Sequence, residues 1–438
     1  MPRVFETKPA IGVLHEPDMT ESAALPSIVL RLIASRAARS VGQGALAVTF
    51  TLYLNALHWS APQIGAVLGG SLLFGAALTL WLGPLSDRLG RKQFLLGYEL
   101  VLIACALLAM LTTVGWALVL AAVLSGFGRG ANGAAGPFGP LEQAWLSHSV
   151  PPLQRARVFS LNSTVGFAGM AAGALLGALP HWLGTWLPGL WGYRALFLLP
   201  LVGSSLGFFL IVGARDLSAA ELRGRAKSAA ATAPEPLAAD QRRADGEQHS
   251  RENGLMLRLG LVNALNGLGI GMVAPMMAYW YALRYGHGPA SIGPAMAASF
   301  VLAAIGSQLA GRLAQRAGVV DAVVGLRSVG LLLLLLTPLA PVFWIAATLY
   351  ALRAAVNQGT LGVRQALTVS LTGDDRRGLA AAINNVSVQI PRAIGPLIAG
   401  LLLHAGWLLA PFLVAGAFQA AYLVLYRRFF HGVEARQV

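Results

Sequence analysis

Gly83-Pro84-Leu85-Ser86-Asp87-Arg88-Leu89-Gly90-Arg91-Lys92 forms a short charged segment between two long apolar runs. The flanking runs cover residues 62–83 and 93–113, and each is long enough to cross the ~30 Å hydrocarbon layer of a bilayer as a helix. Of the 438 residues, 56% are hydrophobic and only 11% are charged. Soluble proteins carry about 25% charged residues. The composition therefore excludes a water-soluble enzyme and predicts a membrane protein with several spans.

Twelve such runs follow one another along the chain. In the first half, they cover residues 27–56, 62–83, 93–113, 116–147, 155–179 and 194–213. In the second half, they cover residues 255–283, 290–311, 320–337, 342–370, 378–403 and 407–426. The polar stretch between the halves is rich in Ala, Arg, Glu and Asp, which is typical of a flexible linker. We therefore expect an all-α membrane protein with a tail at 1–26, a six-helix half at 27–213, a linker at 214–253, a six-helix half at 254–428 and a tail at 429–438.

The distribution of basic residues predicts the orientation in the membrane. The net charge is +14, and 21 of the 32 lysines and arginines lie in the two tails, the linker and every second loop. The opposite loops hold only Arg284, and Arg194 at a span edge. By the positive-inside rule, both termini are cytoplasmic and the protein lies in the cytoplasmic (inner) membrane. The excess of basic residues is thus explained by the orientation in the membrane, and we expect no nucleic-acid partner. The tail at 1–26 contains no apolar core of a signal peptide, so the first span is expected to direct targeting.

The two halves repeat one another. Gly311-Arg312-Leu313-Ala314-Gln315-Arg316-Ala317-Gly318 matches the segment from Gly83 to Gly90 at an offset of 228. Farther on, Arg377 and Asn384 match Arg155 and Asn162 at an offset of 222. Six spans repeated in parallel orientation around a linker indicate a transporter built from two packed halves.

Residues 83–92 meet every specified position of G-x-L-[AS]-D-[RK]-x-G-[RK]-[RK], and on this segment the chain resembles the major facilitator superfamily over about residues 27–428. The resemblance implies two six-helix halves related by a pseudo-two-fold axis, alternating access, and a cytoplasmic latch at this loop. Two acids near the cytoplasmic ends of spans 3 and 4 are expected to meet Arg88 or Arg91 as part of the latch, with a proton carrier as the alternative. The latch residues are Gly83, Asp87, Arg88, Gly90, Arg91, Glu99 and Glu142. An ordinary basic turn is the competing interpretation of the loop.

Nine arginines lie within the predicted spans, at two depths. Arg31, Arg258, Arg327 and Arg364 lie within ~10 Å of the cytoplasmic face, where their side chains can extend to the interface. Five lie deeper, at ~15–21 Å, where a charge must face water, a partner or a substrate. These deep arginines are Arg36, Arg39, Arg129, Arg353 and Arg392. With both acids assigned to the latch, we expect the five to meet no carboxylate.

The deep arginines suggest an anion-binding site. Arg129 and Arg353 are related by an offset of 224, close to that of the repeat, so the pseudo-two-fold axis could bring them opposite each other. Two converging guanidinium groups suit a carboxylate, phosphate or sulfonate. The alternative is that each arginine bonds backbone carbonyls and buried amides. Further candidate substrate-binding residues are Asn132, Asn263, Asn266, Tyr279 and Asn357.

Three functions compete on this sequence. The leading hypothesis is a secondary transporter that moves a small organic anion, with a proton as a candidate co- or counter-ion. The second is a proton-coupled drug or multidrug efflux antiporter, although span 5 lacks the Gly-Pro element of the antiporters in the resembled family. The third is a non-transporting membrane protein, such as a sensor or a lipid-modifying enzyme. No Gly-Lys-Ser/Thr nucleotide motif and no Cys/His cluster occurs in the sequence, so we expect no enzyme activity, no cofactor and no metal. The expected partners are a small solute and the lipid bilayer, and the expected state is a monomer.

Overall fold

The computed structural model describes residues 25–129, 138–183, 186, 187, 189–214, 239–370 and 377–434. The N-terminal half contains the helices Ser27–Ala56 (span 1), Ala61–Leu89 (span 2), Arg91–Leu111 (span 3), Gly115–Ser125 and Phe138–Ser149 (span 4), Pro152–Leu176 (span 5) and Leu198–Val212 (span 6). Short helices at Leu179–Leu183 and Trp191–Arg194, followed by a 3-10 turn at Ala195–Phe197, lead into span 6. Asn132, predicted in span 4, lies outside the described residues.

The C-terminal half contains Ala239–Val273 and Met277–Tyr285 (span 7), Pro289–Ala317 (span 8), Val319–Leu336 (span 9), Phe343–Ser370 (span 10), Arg377–His404 (span 11) and Ala410–Glu434 (span 12). A 3-10 turn at Ala274–Met276 interrupts span 7. This turn contains Pro275, which has no backbone N–H to continue the helical hydrogen bonds. Span 9 ends in a 3-10 turn at Thr337–Leu339.

The helix that holds span 7 begins at Ala239, earlier than the predicted end of the linker at residue 253. The sequence from 239 to 253 is rich in Ala, Gln, Arg and Glu, which favour helix whether or not they are apolar. Hydropathy locates the part of this helix that suits a bilayer, but not the point at which the helix starts.

Within the described residues, nine helices are long and apolar enough to cross a membrane. Spans 1 and 10 are not among the nine, although their helices have 30 and 28 residues. Arginines and amides lower the hydropathy of both, and these polar residues include four of the predicted site residues: Arg36, Arg39, Arg353 and Asn357. The first helix of span 4 ends at Ser125, and residues 130–137 lie outside the described ranges. Helices suit this environment because they satisfy every backbone hydrogen bond within the segment.

The internal repeat is visible in the helix boundaries. Spans 2 and 8 run from Ala61 to Leu89 and from Pro289 to Ala317, so that both ends are displaced by the offset of the repeat. Each is followed by one glycine with positive φ, Gly90 at 97° and Gly318 at 83°. A glycine adopts this conformation without the steric cost that a Cβ would add. The loop predicted after Gly83 is therefore reduced to a turn at Gly90. The helix of span 2 continues through Gly83 to Leu89.

The two halves meet at one side of the molecule. We call the side with Gly90 and Gly318 the Gly90 face, and the opposite side, with Gly286 and residues 57–60, the Gly286 face. Spans 2 and 11 pack together near the Gly286 face, and so do spans 5 and 8. A Cβ at Gly65 would overlap the carbonyl oxygen of Pro396, and one at Gly293 would lie 2.6 Å from that of Ala174. Glycine at these two contacts allows the helix backbones of the two halves to approach closely.

Candidate functional site

Four buried charges form an ion-pair network in the N-terminal half. Arg39 of span 1 donates a hydrogen bond from Nη1 to Oε1 of Glu99 at 3.0 Å and also pairs with Glu142. Arg36, one turn earlier, lies 3.7 Å from Glu142 between Nη1 and Oε2. All four side chains are buried. The network joins span 1 to spans 3 and 4, and its two arginines and two glutamates balance in charge.

This network corrects one expectation, because Arg36 and Arg39 do meet carboxylates. The described partners of Glu99 and Glu142 are these two arginines of span 1, and a contact with the loop arginines Arg88 or Arg91 stays a prediction. The expectation was based on the position of each residue along its helix, counted from the membrane edge. That count ignores the length of an arginine side chain, which bridges the difference in depth between the residues.

The other latch residues are described only in part. Gly83, Asp87 and Arg88 belong to the helix of span 2, but their side chains lie outside the described part of the chain. Gly90 directly precedes the helix of span 3, and Arg91 is buried at the start of that helix. Whether these residues act as a latch remains a prediction.

Arg129 lies at the end of the first helix of span 4 and points toward span 2. Its Nε is 3.4 Å from the hydroxyl oxygen of Ser71. Its guanidinium group fills the space above Gly75 and Gly126, where a Cβ would come within 3.0 Å or less of Cζ. The described contacts of the Arg129 side chain are thus with Ser71 and two glycines of its own half, and none is described with Arg353.

One hydrogen bond crosses between the halves at this depth. Arg392 of span 11 donates from Nη2 to the carbonyl oxygen of Arg129 at 3.2 Å. The guanidinium groups of the two residues are also close enough for their charges to interact. The C-terminal arginine with a described contact to Arg129 is thus Arg392, through the Arg129 carbonyl oxygen, and not Arg353 as the repeat offset suggested.

Arg353 and Arg327 are buried in the C-terminal half, and their described hydrogen-bond and ring partners are neutral. Arg353 is 5% exposed and lies 5.9 Å from the ring centroid of Tyr350. No hydrogen-bond partner is described for its Nε. Arg327 is 1% exposed, and it donates from Nε to Thr360 at 3.1 Å and from Nη1 to Asn266 at 2.8 Å. Among the described residues, neither guanidinium group has an acidic partner.

The burial of Arg327 corrects the expectation that its side chain extends to the membrane interface. Span 9 is packed against spans 10 and 12 at this level, and the Tyr422 ring lies 5.4 Å from the guanidinium carbon. An unpaired charge deep in a bilayer costs at least about 2.5–3.5 kcal/mol, so such residues mark a water-filled path or a ligand site. Arg327 and Arg353 are therefore the strongest candidates in the described chain for binding a negative charge.

The predicted amides and the predicted tyrosine take different roles. Asn263 donates to Asn384 at 2.8 Å and so ties span 7 to span 11. Asn266 holds Arg327, as described above. The side-chain oxygen of Asn357 lies against Gly330 of span 9 and has no described hydrogen-bond partner. Tyr279 is buried on the short second helix of span 7. Of these four residues, Asn266 and Asn357 lie closest to the buried arginines of the C-terminal half.

A cavity of about 50 Å³ lies inside the N-terminal half. Helices of spans 1, 3, 4, 5 and 6 enclose it, and its polar lining is Arg39, Gln43, Ser125, Arg129 and Ser204. Two of the predicted site residues, Arg39 and Arg129, line this cavity. Cavities with several polar groups hold ordered water, which suits the charged groups at its wall.

The sequence model described as Major Facilitator Superfamily matches residues 32–246 and 259–437 of this chain. The chain belongs to the Major Facilitator Superfamily. This membership confirms the predicted family, the all-α fold with two six-helix halves, and the transporter class of function. It also makes the chain a multi-pass membrane protein.

Several relatives in this superfamily resemble the chain in sequence. The "Uncharacterized membrane protein YJR124C" of Saccharomyces cerevisiae is 22% identical over 418 residues, which cover 91% of this chain and 93% of that protein. "Multidrug resistance protein MdtH" of Cronobacter sakazakii is 31% identical over 126 residues, 29% of this chain and 30% of that protein. "Multidrug resistance protein MdtG" of Enterobacter lignolyticus is 28% identical over 187 residues, 42% of each chain. The similarity to the multidrug resistance proteins thus covers less than half of the chain.

Solved superfamily structures share the fold over nearly the whole length. A bacterial homologue of the human lysosomal transporter Spinster, in an inward-facing and unoccupied conformation, aligns with a TM-score of 0.70 at 16% identity over 94% of this chain and 99% of that one. A bacterial homologue of the iron transporter ferroportin, in an inward-facing state, gives 0.66 at 16% identity over 93% and 99%. A D-xylose–proton symporter gives 0.67 at 14% identity over 92% and 97%. At these identities the likeness is one of fold.

Sequence reasoning missed Arg327, Thr360 and Tyr350 as parts of the candidate site. The repeat held a signal for the first of them, because Arg327 and Glu99 are related by the same offset as spans 2 and 8. When a charged residue in one half is buried, a charged residue at the equivalent position of the other half is expected to be buried as well. Nothing in the sequence singles out Thr360 or Tyr350, since hydroxyl groups are common in membrane helices.

Proposed function

We propose that this superfamily member is a secondary transporter that moves a small organic anion by alternating access between its two halves. The Gly90 face is cytoplasmic, and the protein lies in the inner membrane. The observation that carries the substrate class is the burial of Arg353, 5% exposed, with an aromatic ring as its described neighbour and no described acid. An anionic group would supply the missing negative charge.

The positions of the neighbouring residues support a site between the halves. Arg392 lies on span 11 and donates to the carbonyl oxygen of Arg129 in the opposite half. Tyr350 lies within electrostatic range of both Arg353 and Arg392, so the three side chains belong to one region of the C-terminal half. A substrate bound there would contact span 11, which contacts the opposite half. Alternating access requires that the substrate contact a helix at the interface between the halves.

The state of the structure agrees with this mechanism. The helices of the two halves meet near the Gly286 face, through spans 2 and 11 and spans 5 and 8. If that face is the outer one, the site is closed to the outside in this state. Rocking the halves about the same contacts would then open the outer side.

The decisive experiment measures uptake and efflux in vesicles that contain the purified protein. The panel consists of labelled organic carboxylates, phosphates, sulfonates and cations, each with and without a pH gradient. We expect Arg353→Gln to reduce flux of the accepted anion about tenfold or more, since a hydrogen bond to a charged group contributes about 1.5–3 kcal/mol. Arg258→Gln is the matched control, because Arg258 is exposed on the first helix of span 7. If Arg353→Gln leaves every anion flux unchanged, the anionic assignment is wrong.

A second candidate is proton-coupled efflux of drugs. Two observations favour it: the partial similarity to the multidrug resistance proteins MdtH and MdtG, and the buried carboxylate of Glu99, whose partner Arg39 lines the cavity in the N-terminal half. It predicts that a pH gradient drives export of lipophilic cations from the same vesicles and that Glu99→Gln abolishes this export. Export of cations with no flux of any anion would favour this candidate over the first.

A further inference from the structure

The cavity in the N-terminal half is too small for an organic solute. Its volume is about 50 Å³, and one buried water needs about 10–15 Å³. The cavity therefore has room for a few waters or for one ion of similar size, whereas a pocket for a drug-sized ligand measures about 300–1,000 Å³. Any ligand other than water in this cavity must be a small inorganic species.

Two arginines line the cavity, and acidic partners are described for only one of them. Arg39 is 4% exposed and pairs with Glu99 and Glu142. Arg129 donates from Nε to the hydroxyl oxygen of Ser71 at 3.4 Å, and no hydrogen-bond partner is described for its buried Nη2. The described contacts therefore leave part of the Arg129 guanidinium group available to a ligand in the cavity.

A break in span 4 forms the adjacent part of the cavity wall. The helix ends at Ser125, and φ is positive at Gly126 (81°) and at Gly128 (71°) but not at Phe127 between them. Backbone in which such conformations alternate turns successive N–H groups toward one concave side, and these concavities bind anions. Gly126 donates its N–H to the carbonyl oxygen of Ala122, while no acceptor is described for the N–H groups of Phe127 and Gly128. The turn therefore offers hydrogen-bond donors beside Arg129.

The charges around the cavity leave a positive excess. The two arginines and two glutamates of the ion-pair network balance, and Arg129 and Arg392, joined through the Arg129 carbonyl group, add two positive charges. Tyr98, whose hydroxyl lies beside the Arg129 guanidinium group, is neutral. The C-terminal end of the helix Gly115–Ser125 offsets only about half a charge.

The rest of the sequence supplies no further acid at this depth. Residues 130–137, which continue span 4 beyond the described range, contain no charged residue. All acids other than Glu99 and Glu142 lie in the tails, the linker, or the loops predicted on the cytoplasmic side and their edges. An excess charge in a medium of low dielectric constant is unfavourable without a counter-ion, so the cavity favours an anion over water alone.

We propose that this cavity binds one small monovalent inorganic anion, such as chloride, against Arg129 and the turn at Gly126–Gly128. Helices of the N-terminal half enclose the cavity, whereas Arg353 lies in the C-terminal half, so this is a second site. It does not depend on the proposed organic anion. A bound ion would hold the broken end of the span 4 helix against spans 1, 3 and 6, and would thereby stabilise the N-terminal half.

Thermal unfolding in different salts tests the site on the wild-type protein. The purified full-length protein in detergent is kept in sulfate, and sulfate is replaced stepwise by chloride or bromide at constant low ionic strength. A ligand that binds only the folded state raises Tm to an extent that depends on its dissociation constant. We expect Tm to rise with chloride and with bromide. The general effect of salt has the opposite sign, since sulfate stabilises folded proteins by its exclusion from their surface. An unchanged or falling Tm would overturn the proposal.

Two variants test the position of the ion. Arg129→Gln removes the charge, and Leu102→Phe fills part of the cavity while keeping every charge. We expect each to weaken the apparent affinity for chloride about tenfold or more, the effect of losing a hydrogen bond to a charged group or the space for the ion. Leu102→Phe still tests the site if Arg129→Gln does not fold.

Two matched controls accompany these variants. Arg258→Gln removes an exposed arginine of span 7, and Leu107→Phe enlarges an exposed leucine on the same helix as Leu102. Both should leave the affinity for chloride unchanged. An affinity that is equally unchanged in Leu102→Phe would place the ion elsewhere and overturn the assignment to this cavity.

Bromide also locates the site directly, because its anomalous scattering marks its position in a crystal of the protein. We expect a peak in the cavity beside Arg129. Ordered water there with no bromide would show that the cavity holds water only. Binding of chloride without flux of any organic anion would support this inference and contradict the proposed function, so the two can fail separately.

Discussion

Arg39 is the residue on which the ion-pair network of the N-terminal half depends, because it contacts both acids. It is 4% exposed, and Glu99 and Glu142 are 0% and 2% exposed. Removing one member of a buried pair leaves the opposite charge without compensation in a medium of low dielectric constant. The same physical argument marks Arg353 and Arg327 as sites for a ligand, since the described chain offers them no such partner.

Replacing Arg39 should destabilise the protein strongly. We expect Arg39→Gln to lower the free energy of unfolding by about 3–5 kcal/mol, because Glu99 loses its charged partner inside the protein. Thermal unfolding of the purified protein in detergent measures the change. The double variant Arg39→Gln with Glu99→Gln should recover part of the loss, since it restores the charge balance. A midpoint for Arg39→Gln equal to that of the wild type would show that the pair contributes nothing to stability.

At the scale of the element, the two glycines that precede spans 3 and 9 set the direction of the chain. Gly90 and Gly318 have φ values of 97° and 83°, which side chains with a Cβ adopt only with strain. Each glycine lets a long helix end and the next begin within a single residue. The charged segment 83–92 therefore acts first as a structural boundary, whatever role its side chains have in transport.

Alanine at Gly90 should weaken the fold. We expect Gly90→Ala to lower the free energy of unfolding by about 1–3 kcal/mol through backbone strain. Gly97→Ala in the helix that follows is the matched control, because no atom lies within 4 Å of its added Cβ. Alanine inside a helix is favoured over glycine by up to about 1 kcal/mol. Chemical or thermal unfolding of the two variants should thus give shifts of opposite sign, and shifts of the same sign would contradict the strain argument.

At the scale of the whole molecule, close helix contacts hold the halves together near the Gly286 face. The contact between spans 2 and 11 leaves no room for a Cβ at Gly65, because the carbonyl oxygen of Pro396 occupies that space. Because packed side chains do not compress, such an overlap is relieved by a movement of whole helices. A small change at this contact is therefore expected to change the distance between the halves.

Gly65→Ala should shift the protein toward states that are open at the Gly286 face. Spin labels on Thr113→Cys and Gly288→Cys, in a Cys105→Ser background, report the distance between the halves at that face. We expect longer distances in Gly65→Ala than in the parent. Gly70→Ala is the control, because its added Cβ would make an ordinary contact of 3.5 Å with Val123. Equal distance distributions in Gly65→Ala and Gly70→Ala would show that the contact at Gly65 does not determine the distance between the halves.

The proposed orientation also belongs to this scale. Arg284 near the Gly286 face and Arg428 near the Gly90 face are both exposed. In intact bacterial cells, a membrane-impermeant maleimide should label Arg284→Cys and leave Arg428→Cys unlabelled until the cells are permeabilised, because the basic Gly90 face is retained inside. The reverse labelling pattern would invert the assigned topology.

The prediction of the candidate site was less complete than that of the fold. The burial of Arg36, Arg39, Arg353 and Arg392 follows from their positions within apolar runs, and the structure agrees. The pairing of Arg129 with Arg353 across the pseudo-two-fold axis does not follow, because an offset between repeats fixes the depth of a residue and not the direction of its side chain. Arg327 was missed because a count of residues from the membrane edge does not reveal which neighbouring helices cover a position.

The class of protein, the number of predicted spans, the internal repeat and the family can all be inferred from the amino-acid sequence alone. Each of these depends on properties of continuous segments: the length of an apolar run, the charge of a loop, or a motif such as residues 83–92. Which buried charges have an oppositely charged neighbour can be seen only in the folded structure. Arg39 and Glu99 are 60 residues apart in sequence and 3.0 Å apart in space, while Arg327, at the position equivalent to Glu99, meets only neutral described partners. Such contacts depend on the rotation and packing of helices that are distant in the chain, and no local pattern of residues encodes them.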